Sequence, residues 1–264
     1  MKNFDKVVTF GCSWMHGDAI NNGAGRSYGR LFKPAVVLGR LLNCKNEDTA
    51  HSGSSNERII RNVYNWVESN TESKKPLLVI GLSGTARYSF WSSHRELWYE
   101  LSPANVDSYD DEALKRTNDK LTDGIGSVKD LRYWIEYYMK WLYNTDVEDK
   151  KLQRTIVMLH HYLKANNCDY VLLNSLQDSL GDIKDRINYI SFQDETYTGE
   201  DCWQKYLMWQ MEHIDNEMFE DGRGKSTQIY RSAVPPYGKR FCAGHPSPDA
   251  IKELCDRIYE ELDK

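Results

Sequence analysis

The chain has 264 residues, enough to bury a sizeable core in one large domain or two small ones. Hydrophobic residues make up 40% and charged residues 28%, the balance of a globular protein rather than a disordered one. The 34 Lys and Arg against 39 Asp and Glu leave a formal net charge of −5, which argues against a nucleic-acid-binding surface, and no apolar run approaches the roughly 20 residues of a membrane span.

Met1–Trp14 runs straight into a strand pattern and does not read as a signal peptide, so a soluble, cytoplasmic protein is expected. Six cysteines (Cys12, Cys44, Cys168, Cys202, Cys242 and Cys255) are spread over the chain with no CxxC spacing. They read as reduced thiols, and no metal site or cofactor is expected.

In chain order, Lys6–Phe10 is a short β-branched strand stopped by Gly11. A loop containing Asn21, Asn22, Gly23 and Gly25 follows, and lacks the lysine of a phosphate-binding loop. Leu31, Ala35, Leu38 and Leu42 then mark a helix by their spacing. Residues 45–51 form a weak strand that leads into His51-Ser52-Gly53-Ser54-Ser55-Asn56. Ile59, Ile60, Val63 and Val67 stripe a helix capped within that serine run. Leu77–Ile80 is a strand apolar on both faces, ending at Gly81. Strand, helix, strand, helix, strand in this order predicts a parallel sheet covered by helices.

The alternation then breaks. Tyr88–Tyr143 holds twelve of the 32 aromatic residues, and 88–146 reads as a helical and loop insertion within a single domain spanning 1–264. Inside it 102–126 is polar loop, and 127–143 is a helix with Leu131, Trp134, Ile135, Tyr138 and Leu142 on one face. That stripe suits core, an oligomer interface or the wall of a pocket. A helix through Leu152–Leu163 and a strand at Tyr170–Leu173 follow. Residues 175–200 are irregular, 203–218 are helical, and Gln228–Arg231 is a short strand candidate. Ser247-Pro248 opens the last helix.

Ligands of open α/β sheets bind beyond the carboxyl ends of the strands. Polar clusters sit at such ends here: Gly11-Cys12-Ser13, Gly53-Ser54-Ser55-Asn56 and Gly81-Leu82-Ser83-Gly84, with Gly244-His245-Pro246-Ser247 at the mouth of the last helix. A serine hydroxyl becomes a nucleophile when an imidazole takes its proton, so Ser13 and His245 are the candidate nucleophile and base. Gly11 and Gly53 would let a substrate oxygen approach backbone N–H groups. Asn56 is either a cap closing its loop or a substrate contact. Arg87 is either solvated or the partner of an anionic group.

These blocks resemble those of the SGNH (GDSL-like) hydrolases. Phe10-Gly11-Cys12-Ser13 matches the family's Gly-x-Ser turn, and Gly53 its second block. Gly81-Leu82-Ser83-Gly84 has Ser83 where the family has Asn, and Cys242-Ala243-Gly244-His245-Pro246 keeps His-Pro but has Cys242 for the Asp. The likeness covers about 1–90 and 168–262 and looks closest to divergent members encoded by large tailed phages. It implies a flavodoxin-like three-layer α/β/α fold and Ser–His hydrolysis of an ester or acetyl group, such as an O-acyl group on a carbohydrate. It further implies Ser13 as nucleophile, His245 as base, and an oxyanion hole from Ser13, Gly53 and the hydroxyl of Ser83. Without an acid at Cys242, a backbone carbonyl, Asp178 or Asp249 would have to orient His245. Two other readings share the scaffold. One is a binding module for a protein or glycan through the aromatic insertion, the other an acyltransferase using the same residues. A small-molecule or glycan ester is the expected ligand, and self-association through the aromatic insertion the expected contact.

Overall fold

The computed structural model describes residues 3–17, 30–93, 96–101, 103, 127–213, 241–242 and 245–263. Four parallel strands form the central sheet: β1 (Lys6–Phe10), β2 (Lys45–Asp48), β3 (Pro76–Leu82) and β6 (Asp169–Asn174), in the order β2-β1-β3-β6. β1 pairs in register with Pro76–Ile80 on one side and with Lys45–Asp48 on the other. The chain leaves β1 toward β2 and returns past it to β3, so the winding reverses between β1 and β3. A crevice opens at such a reversal, beyond the carboxyl ends of the strands.

Helices cover both faces, because alternate residues of each strand point opposite ways. Val7, Leu77, Val79, Val171 and Leu173 face α2 (Pro34–Leu41), α6 (Trp203–His213) and α7 (Pro248–Leu262). Val8, Phe10, Leu78, Ile80 and Leu172 face α3 (Asn56–Ser69) and α5 (Thr145–Ala165). This is the three-layer α/β/α arrangement the sequence predicts. No described helix is long and apolar enough to cross a membrane.

The expected helix ends are present. Ser55 caps α3 by accepting from Arg58 N–H, and Ser247 caps α7 by accepting from Ala250 N–H, with Pro248 at the first helical position. The helix expected from Leu31 is split into a 3₁₀ turn, Arg30–Phe32, and α2, which starts at Pro34.

The aromatic insertion differs from the expected helix and loop. It opens with an antiparallel hairpin, β4 (Tyr88–Ser92) and β5 (Leu97–Leu101), before α4 (Val128–Tyr137), which runs into a π turn at Tyr138–Leu142. Tyr99, Leu101, Leu131, Ile135 and Tyr138 give it a small core of its own. The expected loop 102–126 (residue 103 apart), the glycine loop 21–25 and the strand candidate Gln228–Arg231 lie outside the described residues, as does the end of the helix expected over 203–218.

Candidate active site

Gly11 ends β1 and the chain turns at once into α1 (Ser13–His16), closed by Gly17 in the left-handed conformation (φ 70°). Two side chains clamp this single turn. Trp14 meets Trp203 of α6 and Phe241 edge-on, with ring centroids 5.5 and 6.1 Å apart. Met15, fully buried, lies over the strand ends: a Cβ built on Gly11 or on Gly81 would come within 2.4 Å of Met15 Cγ. Packing of Met15 therefore by itself requires a glycine at position 11.

The clamp leaves Ser13 at the first helical position, where a backbone N–H has no intrahelical acceptor. Its residue is 6% exposed. The other end of the chain returns to the same place. β7 (Phe241–Cys242) and β8 (His245–Pro246) form a two-residue antiparallel ladder with Cys242 opposite His245, and β8 comes within 8 Å of α1, Cα to Cα.

Two carboxylates were suggested as orienting partners for His245, Asp178 and Asp249. Asp178 is paired with Lys184 at 2.7 Å and accepts from Asn174 Nδ2 at 3.2 Å, beyond the end of β6. Asp249 is exposed in the first turn of α7.

Gly53 lies in the turn after β2 with φ +75°, and an added Cβ there would meet nothing within 4 Å. Its backbone is thus open on that side. Asn56, at the start of α3, is fully engaged with β3: its Nδ2 donates to Ser83 O at 3.1 Å and its Oδ1 accepts from Ser83 N–H at 2.8 Å. This is the loop-closing role. Ser83 is completely buried, and its hydroxyl, like those of Ser54 and Ser175, has no hydrogen-bond partner among the described residues. Arg87 donates from Nη1 to Ser54 O at 3.4 Å.

The structure adds a cluster that the sequence did not reveal. Asp48, the last residue of β2, accepts from Lys33 Nζ at 2.6 Å and lies 3.1 Å from His16 Nδ1 through one oxygen. Thr9 Oγ1 (3.3 Å) and Ala50 N–H (3.1 Å) donate to the other. The rings of His16 and His51 stack, 6.4 Å apart and 17° from parallel. Burial alone would push the Asp48 carboxyl up; the hydrogen bonds and charges of His16 and Lys33 outweigh it and hold Asp48 below the ordinary carboxylate range. Burial, with help from Arg58, His16 and Lys33, pushes His51 down. The one available signal was His16 itself, three residues past Ser13; nothing in the polar run Lys45–Asp48 announces its partner.

No family model and no curated protein matches the chain. Solved structures with a similar course include the psychrotrophic esterase EstA from Pseudoalteromonas sp., at 11% identity and a TM-score of 0.44 over 98% of this chain and 97% of that one. A member of the lipolytic G-D-S-L family from Veillonella parvula gives 11% and 0.42 over 98% of both chains. The acetyl xylan esterase AlAXEase gives 12% and 0.42 over 97% of this chain and 99% of that one. None of these supports the resemblance to phage-encoded members, and at such values the site is read from its own geometry.

Proposed function

We propose that the chain is an ester hydrolase in which Ser13 is the nucleophile and His245 the general base. The observation that supports this best is the packing of α1 against β8, which gathers the first and last polar blocks at the carboxyl edge of the sheet. Ser13 Oγ attacks the ester carbonyl carbon while the His245 imidazole takes its proton. The carbonyl oxygen, now negative, receives the N–H groups of Ser13 and Gly53; the Ser83 hydroxyl, completely buried, is not placed to donate to it. Collapse breaks the C–O bond, the alkoxide takes the proton back from the imidazolium, and water repeats the sequence on the acyl-serine.

A second reading is favoured by a different observation. Trp91, Trp98, Tyr133 and Trp141 of the insertion are exposed, at 48, 45, 69 and 66%. A scaffold acting through that surface would bind a protein or glycan and hydrolyse nothing.

Hydrolysis of p-nitrophenyl acetate separates the two. The hydrolase reading predicts turnover by the wild type and its loss in both Ser13→Ala and His245→Ala, each still folded by circular dichroism. Turnover retained in either variant removes that residue from the mechanism; no turnover by the wild type leaves the binding module.

A further inference from the structure

A pocket of about 370 Å³ opens between α3, α5 and the loop that follows β3. It adjoins the proposed site through backbone. Arg87, on its rim, holds the carbonyl of Ser54, the residue after Gly53, and Asn56, also on its rim, holds the main chain of Ser83. Ile60, Tyr64 and Leu152 give it an apolar side.

Five charged residues line it, and most of that charge is already matched. Lys151 pairs with Glu148 at 2.6 Å. Arg61 lies 3.8 Å from Glu100 and over the Trp98 ring, 4.0 Å from its centroid, while Glu100 also accepts from Ser55 N–H at 2.9 Å. Glu57 is exposed on the pocket side; desolvation by the protein packed beside it, then Glu100 and Glu148, push its carboxyl up despite hydrogen bonds from Ser55 and its own N–H. Arg87 has no carboxylate partner among the described residues, only the carbonyl of Ser54. A half-buried guanidinium beside an apolar wall, at the positive end of the α3 dipole, matches the fork of a carboxylate.

We infer that this pocket is a subsite for an organic carboxylate, and that Arg87 binds it. Resting on the hydrolase reading, the inference names the substrate class: an ester that carries a carboxylate on the part lodged in the pocket. The apolar side favours an organic acid over a bare inorganic anion.

Two measurements test it. The first compares mono-p-nitrophenyl succinate with p-nitrophenyl butyrate, esters of equal carbon count that differ in a terminal carboxylate. The wild type prefers the succinate in kcat/KM, and Arg87→Gln lowers that preference about 10- to 100-fold, the scale of a lost hydrogen bond between charged groups. The second needs no catalysis: succinate is titrated calorimetrically into wild type, Ser13→Ala and Arg87→Gln. Binding in the first two and loss in the third supports the subsite, even where neither ester is turned over and the hydrolase reading has failed. Hydrolysis without a succinate preference, or succinate affinity that is absent or unchanged by Arg87→Gln, overturns the subsite and leaves the hydrolase reading standing.

Discussion

Gly53 and Asn56 lie three residues apart and show how differently two polar-loop residues are used. The Asn56 amide is committed to the main chain of Ser83, so its role is to fix the β3 end relative to α3. Gly53 holds φ +75° with open space where a side chain would be, so the constraint on it is conformational rather than steric. Gly53→Ala is expected to cost about 1–2 kcal/mol of stability from the left-handed backbone alone. If its N–H serves the oxyanion, kcat/KM for p-nitrophenyl acetate should also fall on the order of 10²- to 10³-fold. Thermal melts and initial rates on the same preparation check both; a stability loss with unchanged rate takes Gly53 out of the oxyanion hole. The places of Ser13, Gly53, Ser83 and His245 in the fold were legible because each follows a strand or precedes a helix. The reason for Gly11 was not, since it depends on where the Met15 side chain falls.

At the scale of elements, strands β1, β3 and β6 announce themselves as short apolar runs, and α3 and α7 by stripe and cap. The β4–β5 hairpin does not. Its turn carries a positive φ at Glu96 (52°), a residue type that gives no turn signature, and its alternation is hidden in a stretch where aromatic residues occupy both faces. The tie between α1, the segment before α2 and edge strand β2 was equally hidden, because it rests on one carboxylate in a polar strand. Asp48→Asn would remove a counter-charge from Lys33 and from His16 and is expected to cost about 2–3 kcal/mol near neutral pH. The folded-state pKa of Asp48 is lowered, so its contribution is full above the unfolded carboxylate value of about 3.9 and is lost as pH falls through the folded value. Urea titrations of wild type and variant should therefore differ most near pH 7 and converge as the pH falls below the unfolded carboxylate value of about 3.9. A gap that stays constant over this range would contradict the charge-based account.

Over the whole molecule, the parallel winding does what no local pattern states: it carries residues more than two hundred positions apart to one edge of one sheet. The reversal between β1 and β3 fixes where the crevice lies, and the Trp14 contacts with Trp203 and Phe241 bind α1 to the returning C-terminal segment. Ser13 and His245 act as a pair only if that closure holds in solution. The most direct measurement is the site of covalent modification by a fluorophosphonate, mapped by peptide mass spectrometry in the wild type and in His245→Gln. The account predicts a single adduct on Ser13 in the wild type, formed at least about tenfold more slowly in the variant, within the range for loss of a general base. No adduct, an adduct on another serine, or labelling of Ser13 at an undiminished rate without the imidazole would contradict it.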